Sequence, residues 1–168
     1  MASNFWANPG IEPKRQHRWV VYADGFDHWI AKKVTRPSFN IPETPHKYLN
    51  HTFYYPGRVE WDPVTLTILD PGGASDSTSR LFTKLAQSGY IYPENPNDRS
   101  TISKALAVNS FGQLTIHELT PEGPANSHFT LYNTWIQKAE LGELDYEGEG
   151  MVELTLTLRY DYAKYEMG

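Results

Sequence analysis

The chain has 168 residues, room for one domain with its own core, and contains no cysteine, which excludes disulfide frameworks, thiolate metal sites and cysteine nucleophiles. Its formal charge is −5, and the lysines and arginines are scattered rather than gathered into the basic face that grips duplex DNA. The densest basic stretch is Lys14, Arg15, His17 and Arg18, with Lys32 and Lys33 further on, and no apolar run is long enough for a membrane span.

The first ten residues are polar and mixed, without the apolar centre of a secretion signal, and residues 1–16 read as an arm that is flexible or ordered by a partner. A strand is expected over 17–23, a turn at Asp24-Gly25, and a second strand over 29–35, together an N-terminal hairpin. Pro37, Pro42 and Pro45 rule out a central strand over 36–45, which reads as an extended or protruding segment. Strand character returns over 48–55 and ends at Pro56-Gly57. Over 64–69, Val64, Leu66 and Ile68 alternate with Thr65 and Thr67, the period-two pattern of a strand with one buried face.

Residues 70–79 form a loop closing in helix-capping residues. Leu81, Phe82, Leu85 and Ala86 then recur at helical spacing, and Gly89 stands where a helix would stop, so a helix is expected over 78–88. A shorter helix is expected over 100–108, after a Pro/Asn-rich loop at 92–99. Strands follow over 113–119 and 128–137, separated by the turn-rich segment 120–126. Residues 141–150 are polar and acidic. From Val152 to Tyr162 every even position is apolar or aromatic and every odd one polar, which reads as one long two-faced strand of about 36 Å. The fold class is mainly β, a single domain over 1–168 of two packed antiparallel sheets with one flanking α-helix.

Chemistry-bearing patterns are sparse. The six histidines form no HxH or HxxxH pair. Asp24, Asp27 and His28 could hold a metal, but Asp and Gly there are the usual turn formers. Residues 70–76 lack the EF-hand ligand spacing, and no Walker A, GxGxxG or GxSxG pattern occurs. Glu143, Asp145, Glu147 and Glu149 are the densest carboxylates, and such a run in a loop is a solvated edge before it is a catalytic pair. No enzymatic activity, metal or cofactor is expected. The 14% aromatic content fits both strand propensity and a large protein–protein interface.

Three stretches together resemble the major tail tube protein of contractile-tailed bacteriophages, related in architecture to the type VI secretion tube protein. They are GRVEWDPVTLTILDP over 57–71, SRLFTKLAQSGY over 79–90, and TLYNTWIQKAELGELDYEGEGMVELTLTLRYDYAKYE over 130–166. The N-terminal arm and residues 37–45 match the family poorly. The resemblance implies six copies in a ring, with one sheet of each copy joining a ring-wide inner barrel, and rings stacked into the tube through which phage DNA passes. The implied partners are further copies of the chain, the tail sheath, baseplate and tape measure proteins, and DNA in transit, in a virion tail assembled in the host bacterial cytoplasm without membrane insertion.

On that reading Thr65, Thr67, Glu153, Thr155 and Thr157 are the candidates to face a mildly acidic lumen, which would repel phosphates; otherwise they meet bulk water. Pro37, Phe39, Pro42, His46, Tyr48, Tyr54 and Tyr55 are the candidates for contact between rings; otherwise they belong to a rigid surface loop. Competing readings are a type VI secretion ring protein, a single-ring tube initiator or terminator, and, from another class, a carbohydrate- or ligand-binding β-sandwich whose aromatics form a stacking platform.

Overall fold

A computed structural model describes residues 10–168; residues 1–9 of the expected arm lie outside the described residues. The strands run, in chain order, β1 (Trp19–Ala23), β2 (Ala31–Val34), β3 (Phe39–Asn40), β4 (Glu43–Tyr48), β5 (His51–Pro56), β6 (Glu60–Trp61) and β7 (Val64–Leu69). Helices α1 (Ser77–Gln87) and α2 (Lys104–Phe111) follow. Then come β8 (Leu114–Leu119), β9 (Ala125–Tyr132), β10 (Trp135–Glu140), β11 (Glu153–Arg159) and β12 (Tyr162–Met167).

All strand pairs are antiparallel. They build a first sheet in the order β1-β8-β9-β12, a second in the order β10-β11-β7-β2, and two ribbons, β3-β6 and β4-β5. The mainly β class of packed antiparallel sheets is as the alternating patterns predict, and the second, shorter helix is present as α2.

Alternation on β7 and β11 generates the core. Their register sets Val64, Leu66 and Ile68 opposite Leu158, Leu156 and Leu154, all at most 1% exposed. They join one cluster with Val21, Leu114, Ile116 and Leu131 of the first sheet. Each such side chain stabilises the fold by roughly 1.5–3 kcal/mol.

Helix α1 begins where two aspartates supply its unpaired N–H groups with acceptors. Asp76 accepts from Thr78 and Ser79, and Asp70 Oδ1 from Ser77 and Thr78 at 3.1 and 3.2 Å. It ends at Gly89, whose φ of +105° suits only glycine, and a Cβ there would stand 2.8 Å from the Thr101 carbonyl oxygen. Beneath α1, the buried Lys84 donates to the Ser110 carbonyl at 2.7 Å and lies over the rings of Phe26 and Phe111. Burial pushes its pKa down, against the opposing pull of the Asp24 carboxylate at 3.9 Å.

Four sequence expectations are corrected. β1 and β2 do not form a hairpin, because β1 pairs with β8 and β2 with β7. Phe26 and Ile30 between them are both buried, so the connection carries the chain across the core from one sheet to the other. The strand expected over 48–55 begins at His51, since Tyr48 and His51 close a tight turn at Leu49-Asn50. The strand expected over 128–137 is two strands in different sheets, broken at Asn133, which has φ +55°. The long strand expected over 152–162 is likewise β11 in the second sheet and β12 in the first. Its alternation runs unbroken because Tyr160, at the corner, is also buried, its hydroxyl donating to the Asp62 carbonyl at 2.7 Å.

Candidate assembly surfaces

The second sheet turns one face to the core and leaves the other half-exposed. On this outer face Thr65 pairs with Thr157 and Thr67 with Thr155, and Glu153 stands beside Leu69. The five residues singled out for a lumen are therefore brought onto one surface. They form a block of short, neutral hydroxyls with a carboxylate at one end. The expected acidic character is corrected: Glu153 is ion-paired with Lys32, and Glu140 with Lys138 at 2.6 Å. Register adds Lys33 opposite Thr67 and Arg159 opposite Trp135, so lysine and arginine outnumber the two carboxylates on this face. Sequence reading missed these cations because β2 and β10 were not known to flank β7 and β11.

The segment expected to protrude is a hairpin of β4 and β5, two six-residue strands exposed along their length save for the half-buried Thr52. At about 3.3 Å per residue it reaches some 20 Å. Its register sorts the side chains. His46, Tyr48, His51, Phe53 and Tyr55 share one face, and Pro45, Lys47 and Tyr54 the other. His51 and Phe53, which the sequence reading did not single out, touch edge-on with centroids 4.5 Å apart; alternation from Tyr55 would have found both. At the tip Leu49 is 89% exposed and held at φ +51°, a conformation costly for a branched side chain.

Pro37, Phe39 and Pro42 lie elsewhere. Pro37 is half-buried. Phe39 packs edge-on against Trp61 at 5.4 Å. Pro42 closes the hairpin base, its carbonyl accepting from Gly57 N–H at 2.6 Å.

The outer face of the first sheet carries a row of rings: His28, Tyr22, His117 and His128, with successive centroids 5.8, 5.1 and 5.3 Å apart. His128 Nε2 lies 3.0 Å from the Glu166 carboxylate. Burial, with His128 alongside, pushes the His117 pKa down. The residues weighed as a metal site are engaged otherwise: Asp24 faces Lys84 and Asp27 faces Arg80. Among the described residues no group of three ligating side chains converges, and no helix is long and apolar enough to cross a membrane.

No protein-family model matches the sequence, and no curated protein matches it significantly. Solved structures do match. A chain of the six-fold symmetrised anti-feeding prophage baseplate shares 13% identity over 94% of this chain and 97% of its own, with a TM-score of 0.67. A chain of that prophage's tube-terminating cap shares 12% over 94% and 93%, with a TM-score of 0.69. A chain of the PVC sheath–tube complex, an extracellular contractile injection system in its extended state, shares 16% over 93% of each, with a TM-score of 0.63. The fold is thus that of proteins found in the tube, cap and baseplate assemblies of contractile injection systems.

Proposed function

We propose that this chain is a non-enzymatic structural protein that forms stacked hexameric rings, the inner tube of a contractile tail through which phage DNA passes. The observation that carries the reading is the second sheet. It ends in two open edges, β2 and β10, and presents the hydroxyl block of Thr65, Thr67, Thr155 and Thr157 on its outer face. Open edges invite pairing, and closing them around a ring removes the hazard while making a continuous barrel. The outer face then becomes a lumen lining whose centre is a wetted, short-chained and uncharged hydroxyl block, with the lysines and arginine at its edges.

The β4–β5 hairpin supplies the axial contact. Tyr48, Phe53 and Tyr55 on one face are the anchors for the next ring, a head-to-tail arrangement that gives open filaments. Sheath, baseplate and tape measure proteins are the expected neighbours, in a virion tail assembled in the host bacterial cytoplasm. A second reading, a single-ring cap, is favoured by the likeness to the tube-terminating cap.

Negative-stain electron microscopy of concentrated protein tests both. Hollow tubes support the inner tube. Rings that never stack support the cap. A monomer at every concentration, with or without added baseplate, would sink both readings.

A further inference from the structure

We propose that the acidic loop 141–150 of one copy docks into a basic groove beside β2 of the next copy, and that this contact sets the lateral neighbour in the ring. The proposal rests on the ring-forming reading above and adds the identity of its side-by-side contact.

The loop joins β10 to β11 at one side of the second sheet. It is built, not slack. Asp145 Oδ1 accepts from Glu147 N–H at 3.0 Å, and Gly142, at φ +77°, packs where a Cβ would meet the Glu153 carbonyl oxygen at 2.8 Å. Yet its large apolar and aromatic side chains face solvent: Leu144 is 86% exposed and Tyr146 fully so. Glu143, Asp145, Glu147 and Glu149 form no ion pair among the described residues.

The groove lies at the other side of the same sheet, where β2 faces β1 and β8. It has a volume of about 600 Å³ and a floor of Trp19, Val34 and Ile116. Its rim carries Arg15, Arg18, Lys32, Lys33 and Arg36. Carboxylates answer only some of this charge. Glu118 takes Lys14 and Arg36, Glu12 takes Arg18 at 2.8 Å with Arg15 at 3.9 Å, and Glu153 takes Lys32. Six cations stand against three carboxylates, and Lys33 has no carboxylate partner among the described residues.

An excess of positive charge over an apolar floor thus complements a loop of unpaired carboxylates interleaved with Leu144 and Tyr146. Sheet order fits the match. With β10 and β11 at one side and β2 at the other, copies set side by side in the same sense present loop to groove. The two lie at the same end of the sheet, since Glu153, just past the loop, reaches Lys32 on β2. Such a contact fixes register and partner choice through charge and weakens as salt rises.

The test is a charge exchange in the full chain. One variant carries Glu147→Lys and Glu149→Lys, the other Arg15→Glu and Lys33→Glu, all at exposed positions, and circular dichroism checks that each is folded. Neither alone should form rings at ten times the concentration the unaltered chain needs, whereas an equimolar mixture should form them. In a ring of alternating copies every reversed loop meets a reversed groove and every native loop a native one. If either variant forms rings as the unaltered chain does, or the mixture does no better than its parts, the docking is overturned while the ring reading stands. If the unaltered chain forms no ring at any concentration, both fall.

Discussion

Asn133 Nδ2 donates to Asp161 Oδ2 at 2.9 Å, tying together the two places where the chain leaves one sheet for the other. The corner is reinforced by Asp161 N–H donating to the Tyr132 carbonyl at 3.0 Å and by Lys104 reaching both carboxylate oxygens at 2.8 Å. Hydrogen bonds from Lys104 and Asn133 hold the Asp161 carboxyl below its usual range.

Breaking this corner should cost stability in a pH-dependent way. Asp161→Asn is expected to lose about 1 kcal/mol at pH 7. Because the folded-state pKa is depressed, the unfolded chain binds more protons on the acid side. The contribution is therefore full above the ordinary carboxylate range and lost as pH falls through the lowered value. Urea unfolding of both proteins should show the gap at pH 7 narrowing toward pH 3; a gap that does not narrow would refute the linkage. Asn133→Val, forcing a β-branched residue to φ +55°, should cost more than Asn133→Gly.

Lys84 gives a slope of the same sign in the alkaline range. Its folded pKa is lowered by burial, so between that value and the ordinary lysine value the unfolded chain again holds more protons and stability rises with pH. Against Lys84→Met, the unaltered chain should gain stability as pH rises toward the ordinary lysine value. At pH 7 Lys84→Met should change stability by under about 1 kcal/mol, whereas Lys84→Ala, which empties the space between Phe26 and Phe111, should cost about 2–3 kcal/mol. Chemical denaturation across that range checks both.

How much of this was legible in the sequence depended on where the chain bends. Val64–Leu69 and the α1 boundaries follow from periodicity and capping, because each is a local pattern. The crossover at Tyr160 was hidden because this buried corner residue keeps the in-and-out rhythm going while the chain changes sheets, whereas at Asn133 the break is one exposed residue at φ +55°, which periodicity does not signal. Thr65, Thr67, Thr155 and Thr157 were legible as one surface because alternation fixes their side. The cations flanking them were not, since strand order is a non-local fact.

Removing the aromatic face of the hairpin should uncouple stacking from folding. Tyr48→Ser with Phe53→Ser touches two side chains that are 64% and 46% exposed, so the melting temperature should stay within the equivalent of about 0.5 kcal/mol. Electron micrographs should show rings without tubes. Tubes of normal length would remove the hairpin from the axial contact.

Charging the threonine face should make the passage sticky. Thr155→Lys with Thr157→Lys is expected to leave assembly intact but to retain nucleic acid, read as a raised 260/280 nm absorbance ratio that falls in high salt. An unchanged ratio in well-formed tubes would place that face away from the lumen.

The position of β11 between β7 and β10 has a consequence for biosynthesis. Its seven residues fill the middle of the second sheet, and β12 completes the first, so neither sheet closes until residues 153–167 have been made. Such long-range pairing makes folding slow and late. On the ring-forming reading, a nascent chain still on its ribosome therefore has no completed second sheet to offer a neighbour, which would keep assembly from starting on polysomes crowded with identical half-made subunits.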